Sequence, residues 1–297
     1  MNVYDMINTR IMELLQQNIV PWHRPWNNQT SFPMNLISKR PYKGINVWLT
    51  ACQQYESPYW LTYKQATELG GHVKRGMKST PVIYFQMLDK KDSVSTDGDT
   101  GTNGKIPLLK YYSVFNTDQC EGITIPELPT TTTIFNPIQT AEEIIFNMPN
   151  KPLIQHMGNK ATYNVRTDTV TLPPQTAFES PEEYYSTAYH ELTHATMAEH
   201  RLNRKASIQV HKFGDEDYSK EELVAEMGAA FLCGHTGIGQ KTLINSVAYL
   251  QGWLKALKND KTLLIHAAAQ GQKAADYILN LHPDHQEEPP AILSSMR

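Results

Sequence analysis

Helical and extended periodicities alternate along the first part of this 297-residue chain. Apolar residues spaced three or four apart predict helices over residues 3–17, 46–52 and 62–69. Alternation of apolar and polar residues predicts two strands, at 81–88 and 108–115. The stretch between these strands, residues 90–105, is polar and glycine-rich, so we expect it to form the tip of a hairpin.

The second part of the chain has a mainly helical pattern. It predicts helices near 140–147, from 181 to about 200 and from 219 to 232, and a β-hairpin over 161–172. A threonine run marks a linker at 129–136 between two domains, residues 1–128 and 137–290. We therefore expect an α+β protein, in which a small mixed N-terminal domain precedes a mainly helical domain with a short sheet.

The helix predicted from residue 181 carries the most informative motif, His190-Glu191-Leu192-Thr193-His194. Ser180 is suited to cap this helix, with Pro181 in its first turn and Glu183 closing a capping box, so the motif falls mid-helix. Residues four apart lie on one helix face, so both imidazoles can bind one zinc ion. Glu191 is placed to act as a general base toward a water in the ion's open position.

A catalytic zinc ion takes three protein ligands, and the third is expected from the following helix. Glu222 and Glu226 lie four residues apart there, as in zincin peptidases, where one glutamate binds the ion and a later carboxylate supports a histidine. We assign Glu222 as the ligand and Glu226 as the supporting carboxylate, with the reverse left open. Glu221 is expected to point away from this face. Solvated glutamates are common in first helical turns, so the assignment depends on the histidine motif.

Charge is distributed unevenly along the chain. Residues 1–90 carry ten Lys and Arg against five Asp and Glu, a net charge of +5. Residues 91–297 carry seventeen against twenty-five, a net charge of −8. This asymmetry indicates an anionic partner for the first part.

Four of the five tryptophans lie in the basic part. Basic side chains interleaved with exposed rings suit single-stranded nucleic acid, because cations contact phosphates and rings stack on bases. Tryptophans are more often buried, so we assign Trp48 and Trp60 to the core and regard Trp22 and Trp26 as candidates for stacking. The expected nucleic-acid contacts are Trp22, Arg24, Trp26, Lys39, Arg40, Tyr42, Lys43, Lys74, Arg75 and Lys78.

Cysteine usage and hydropathy indicate in which cellular compartment the protein is expected. The three cysteines are far apart in sequence, which favours neither a disulfide framework nor a cysteine zinc site. The sequence shows no apolar signal segment and no apolar run long enough to cross a membrane. We therefore expect a cytoplasmic protein without a membrane partner.

Several longer motifs resemble one known family. Residues 21–26 (PWHRPW), 41–46 (PYKGIN), 60–66 (WLTYKQA), 70–76 (GGHVKRG) and 113–122 (SVFNTDQCEG) are similar to the N-terminal domain of ArdC-type antirestriction proteins. Residues 221–226 (EELVAE) and 253–257 (WLKAL) resemble the zincin-like metallopeptidase domain that follows it in this family. The resemblance covers nearly the whole chain, and residues 89–104 are the chief departure.

The resemblance implies a plasmid-encoded antirestriction protein that binds single-stranded DNA and protects incoming DNA during conjugation. Host restriction-system proteins are the candidate targets of its peptidase. One divalent ion is expected as cofactor, with zinc first and manganese as the alternative. The histidine motif predicts peptide-bond hydrolysis, and an intact Glu191 favours it. The alternative is a non-proteolytic protein that coats single-stranded DNA and whose metal domain is structural or binds a partner.

Overall fold

The structure, a computed structural model, describes most of the chain. The described residues are 2–17, 19–23, 32–53, 55–89, 105–126, 136–204, 216–238 and 247–281. Both halves combine helices with small sheets, which confirms the expected α+β class.

Three helices of the first half form where the sequence predicts them. They are α1 (Val3–Gln16), α2 (Ile45–Ala51) and α3 (Tyr63–Glu68). The side chain of Asn2 caps α1 by accepting from the Asp5 N–H at 2.8 Å. A capping box between Thr62 and Gln65 starts α3.

The described strands of the first half form two sheets, in which most neighbouring strands are antiparallel. The larger contains β1 (Met34–Asn35), β2 (Tyr59–Leu61), β4 (Thr80–Asp89) and β5 (Lys105–Asn116), in the order β1-β2-β5-β4. The smaller pairs β3 (His72–Val73) with β6 (Cys120–Glu121). Strands β4 and β5 confirm the predicted hairpin. Of its predicted tip, residues 90–105, Lys105 belongs to β5 and residues 90–104 lie outside the described residues.

The second half packs helices against a three-stranded sheet. Its strands are β7 (Leu153–His156), β8 (Thr162–Asn164) and β9 (Thr169–Leu172), in the order β7-β9-β8. Strands β8 and β9 are the predicted hairpin, and β7 adds a parallel edge strand. The helices are α4 (Pro137–Asn147), α5 (Pro181–Ala195), α6 (Glu216–Thr236), α7 (Val247–Asn259) and α8 (Leu263–Ile278). Of the described helices, none is both long and apolar enough to cross a bilayer.

Helix α5 starts as predicted and ends earlier than predicted. The Ser180 side chain accepts from the Glu183 N–H, while the Glu183 carboxylate accepts from the Glu179 N–H at 2.9 Å instead of closing a capping box with Ser180. After Ala195 the chain reverses, because the N–H of Leu202 donates back to the Thr196 carbonyl at 3.0 Å. The sequence contains no proline or glycine that announces this turn.

Close helix packing sets the position of α6 relative to α5. A Cβ at Gly228 of α6 would lie 2.5 Å from Thr193 Cγ2 of α5. A Cβ at Gly271 of α8 would lie 2.9 Å from the Gly228 nitrogen. These two glycines let the three helices approach closely, and the start of α6 therefore lies beside the histidine motif.

One hydrophobic cluster joins the two halves of the chain. Trp48 of α2 packs on Phe231 of α6 with ring centroids 4.6 Å apart, and Trp22 contacts Trp253 of α7 edge-on at 5.5 Å. The Asn8 side chain of α1 donates to the Leu257 carbonyl at 2.8 Å. The halves therefore share their packing, while the domain boundaries at 128 and 137 stay a prediction.

Candidate metal centre and nucleic-acid surface

The histidine motif lies on the buried side of α5. One helical turn separates His190 from His194, and their Nε2 atoms lie 3.1 Å apart. Both imidazoles thus direct the same ring nitrogen to one point, as the spacing of the motif predicts.

Helix α6 supplies a carboxylate to the same point. The Glu222 oxygens lie 3.4 Å from His190 Nε2 and 3.4 Å from His194 Nε2. Bonds of about 2.1 Å to a tetrahedral ion would separate neighbouring ligand atoms by about 3.4 Å. Two imidazole nitrogens and one carboxylate therefore have the chemistry and the spacing that a divalent ion requires, and they are grouped as a candidate metal site.

Two further glutamates face the opposite nitrogens of the histidines. Glu226 Oε1 lies 3.5 Å from His190 Nδ1, where the sequence expects a supporting carboxylate. Glu221 Oε1 lies 3.5 Å from His194 Nδ1. The expectation that Glu221 points away is therefore wrong, because α6 crosses α5 so that the consecutive residues Glu221 and Glu222 lie on either side of the His194 ring.

The buried histidines and glutamates of this centre shift one another's pKa values. Burial lowers the pKa of His190, but Glu222 and the nearby glutamate charges outweigh it and raise that pKa overall. Burial also opposes protonation of His194, yet hydrogen bonding to Glu221 and Glu222 holds its pKa well above the usual value. Both histidines keep the pKa of Glu222 far below its usual range against burial. A divalent cation would replace the protons that these groups share.

Glu191 is the residue of the histidine motif that is predicted to act as the general base. It follows His190 on α5, and only 7% of its surface is exposed. A buried carboxylate whose charge acts on both His190 and His194 suits a group that accepts a proton from a water. Its role as general base stays a prediction.

The structure corrects part of the predicted nucleic-acid surface. Trp22 is 1% exposed and packs on Trp253, so its ring belongs to the core and not to a stacking platform. Tyr42 is 9% exposed, and burial raises the pKa of its hydroxyl. Arg24 and Trp26 lie outside the described residues.

The remaining basic residues lie in two loops on one region of the first half. Lys39, Arg40 and Lys43 follow β1, and Lys74, Arg75 and Lys78 follow β3; all are exposed except Lys74, which is half-buried. Both loops flank a small hydrophobic cluster that contains Leu36, Tyr59 and Ala66, with Val73 packed against it. Lys39 lies over the Tyr59 ring at 4.5 Å.

An exposed ring that the sequence did not single out begins α3, a helix that packs on the same small cluster. Tyr63 begins α3, whose Ala66 belongs to the same small cluster, and 60% of its surface is exposed. A tyrosine at the first position of an amphipathic helix carries no sequence signal that separates it from a packed ring. Only the fold shows its exposure.

Two known protein families match different segments of the chain. Residues 1–115 match the N-terminal domain of the anti-restriction factor ArdC. Residues 139–270 match a zincin-like metallopeptidase family.

Proteins from Escherichia coli and Sinorhizobium fredii are similar to nearly the whole chain. Two Escherichia coli proteins named DNA primase TraC are 31% and 33% identical over 96% and 93% of this chain. The chain spans only 20% and 27% of the length of these primases. A Sinorhizobium fredii protein, y4eC, is 28% identical over 96% of this chain and 94% of its own length.

Two crystal structures of the antirestriction ArdC protein from plasmid R388 share this fold. The metal-free structure has a TM-score of 0.74 and 34% identity, and the alignment covers 95% of this chain and all of that chain. The Mn(II)-bound structure has a TM-score of 0.75 and 32% identity over 96% of this chain and 100% of that chain. With this identity over the full length of a solved relative, and with both domains matched, the chain belongs to the ArdC antirestriction family.

Proposed function

We propose that this chain protects incoming DNA from host restriction by binding single-stranded DNA through its first half and by using a metallopeptidase-like centre in its second half. Membership of the ArdC family supports the antirestriction role. The convergence of two imidazole nitrogens and a carboxylate within 4.8 Å of one another carries the proposal for the centre.

His190, His194 and Glu222 are the proposed ligands of one divalent ion. Nitrogen and carboxylate ligands in a tetrahedral arrangement suit zinc, while the Mn(II)-bound relative makes manganese the alternative. When bound, the ion would supply a Lewis acid and make a neighbouring water more acidic. Glu226 is proposed to hold the His190 ring from its Nδ1 side.

Glu191 is the proposed general base. Its carboxylate would take a proton from the attacking water and deliver it to the amine that leaves when a peptide bond breaks. Burial excludes bulk water, which would otherwise compete for that proton. The proposed substrates are host restriction-system proteins.

The basic loops form the proposed DNA surface. Lys39, Arg40, Lys43, Lys74, Arg75 and Lys78 would contact phosphates. Tyr63 takes the stacking role that the buried Trp22 leaves open. Single strands suit this surface because their base faces are accessible to a ring, whereas a duplex hides them in its stack.

Metal analysis combined with an antirestriction assay tests this proposal. The purified chain is expected to hold one divalent ion, and Glu191→Ala is expected to keep the ion but lose protection of incoming DNA. His194→Ala is the matched variant that should lose the ion itself. Full protection by Glu191→Ala would instead support a non-proteolytic protein that coats DNA.

A further inference from the structure

The guanidinium of Arg204 is buried behind the candidate metal centre. Arg204 ends the turn that follows α5, and its N–H donates to the Met197 carbonyl at 3.0 Å. Only 7% of the residue is exposed. The turn therefore brings a permanent positive charge back beneath the last turn of α5.

Three acceptors fix this guanidinium. Nη1 donates to Thr196 Oγ1, and Nη2 donates to the Thr193 carbonyl at 3.0 Å. Nη2 also donates to Glu221 Oε1 of α6 at 2.7 Å. An arginine can meet all three because its planar fork carries five donors, which the single ammonium of a lysine does not reproduce.

Glu221 connects Arg204 to His194. The same oxygen, Oε1, that accepts from Arg204 lies 3.5 Å from His194 Nδ1. Glu221 is only 8% exposed, and a buried carboxylate is costly unless a cation accompanies it. Arg204 supplies that cation and fixes the carboxylate relative to α5.

We propose that Arg204 is a positioning residue for the metal centre and acts through Glu221 on His194. This inference rests on the proposed metal site. A histidine that binds a metal through Nε2 carries its proton on Nδ1, and a carboxylate there fixes both the tautomer and the ring orientation. Glu221 is the acceptor for that proton, and Arg204 holds the acceptor in place. Because Arg204 also donates to Thr193 of α5 and to Thr196 at the C-terminal cap of α5, it fixes the distance between His194 and α6.

Calorimetric titration tests the proposal. The full-length chain is first freed of metal and is then titrated with Mn(II) and with Zn(II). Glu221→Gln keeps the size of the side chain and is expected to bind one ion with about 10–100-fold lower affinity. Arg204→Met is expected to weaken binding as well. When Glu221→Gln is already present, adding Arg204→Met should change the affinity by no more than about two-fold, because the arginine acts through the glutamate.

Arg201 provides a matched control for a purely structural role. It lies three residues before Arg204 and donates to the Ala195 carbonyl at the end of α5, but its carboxylate partner is Asp168 in the turn between β8 and β9. Arg201→Met is expected to lower the melting temperature while leaving metal affinity within about two-fold of the unsubstituted chain. The Co(II)-loaded absorption spectrum should change in Glu221→Gln and stay unchanged in Arg201→Met, because it reports ligand geometry.

The outcomes separate this inference from the metal site itself. Failure of the unsubstituted chain to bind an ion would overturn the site, and the positioning role with it. Wild-type affinity in Glu221→Gln, or an equal loss from Arg204→Met with and without Glu221→Gln, would overturn the positioning role alone. If Arg204→Met does not fold, the affinity and spectrum of Glu221→Gln decide.

Discussion

Three glutamates of α6 surround the two histidines, and their distances assign them different roles. Glu222 faces both Nε2 atoms at 3.4 Å, so one ion can contact all three side chains. Glu226 and Glu221 instead face Nδ1 atoms, each on a different ring. Each imidazole therefore has a carboxylate near both of its ring nitrogens, an arrangement that favours one ring orientation.

The ligand assignment predicts unequal effects of removing Glu222 and Glu226. Glu222→Ala should abolish binding of one ion per chain, because it removes a ligand. Glu226→Ala should retain one ion with about 10–100-fold lower affinity, because it removes only support for His190. Calorimetric titration measures both, and the exposed Glu199→Ala serves as a control without effect. Greater metal loss from Glu226→Ala would reverse the assignment.

Asp168 predicts a pH-dependent contribution to stability. Hydrogen bonds from Arg201, both 2.8 Å long, lower the pKa of Asp168 below its usual value. The contribution is therefore present above the unfolded pKa of about 3.9 and is lost as pH falls through the lower folded pKa. Because Asp168 is partly exposed, we expect Asp168→Asn to lower the free energy of unfolding by about 1 kcal/mol at pH 7.

Denaturant unfolding at pH 7 and at pH 3 checks this expectation. The difference between Asp168→Asn and the unsubstituted chain should shrink at the lower pH. Asparagine tolerates the positive φ of 50° at this position, so the variant tests charge and not backbone strain. A difference that stays constant between the two pH values would contradict the role of the ion pair.

At the level of elements, the contact between α5 and α6 predicts that Gly228 is required for the metal centre. Alanine normally stabilises a helix interior by about 1 kcal/mol relative to glycine. At Gly228, however, the new Cβ would overlap the Thr193 side chain, which is buried and bonded to the Tyr189 carbonyl at 2.8 Å. We expect Gly228→Ala to destabilise the fold by about 1–3 kcal/mol and to weaken metal binding by moving α6.

A compensating substitution makes the Gly228 prediction specific. Thr193→Ala removes the two atoms nearest the new Cβ, so the double variant should recover part of the lost stability and metal affinity. Thermal melting and metal titration measure both recoveries. Equal losses with and without Thr193→Ala would show that crowding between the helices is not the cause.

The same contact explains how much of the site the sequence could predict. Helical spacing alone placed His190 and His194 together, because both lie on one element. The position of Glu221 depended on the crossing of two helices, and that of Arg204 on a turn without proline or glycine. Strand β7 was missed because its four residues carry no alternation strong enough to be recognised. Local pattern therefore found the candidate ligands but not the residues packed around them.

At the scale of the whole molecule, the hydrophobic core that the two halves share shows that the basic first half does not pack as a separate unit. Charge asymmetry predicted a separate DNA-binding unit, and the aromatic loop predicted its stacking rings. Trp22 instead packs against α7 of the second half, and Trp48, which was assigned to the core, packs against α6. Charge reports which surface faces an anion, whereas the burial of a ring depends on contacts distant in sequence. A fragment of the first half would expose these rings, so DNA binding is best measured on the full chain.

The basic loops of the first half predict salt-dependent binding to single-stranded DNA. The full chain should bind a labelled oligothymidylate more tightly than a duplex, with an affinity that falls as salt rises. Arg75→Ala or Lys78→Ala should each reduce the magnitude of the salt slope by about 0.7, the share of one phosphate contact on a single strand. Fluorescence anisotropy over a series of salt concentrations measures the slope, and the exposed Lys160→Ala of the second half is the control.

Tyr63 distinguishes stacking from electrostatic contact on the same surface. If its exposed ring stacks on a base, Tyr63→Ala should cost about 1–3 kcal/mol of binding energy while leaving the salt slope unchanged. Tyr63→Phe keeps the ring and should bind nearly as well as the unsubstituted chain. If Tyr63→Ala keeps full affinity while Arg75→Ala reduces the salt slope, the basic loops alone contact the DNA. Unchanged binding in every variant, with preference for duplex, would move the DNA site to another face of the molecule.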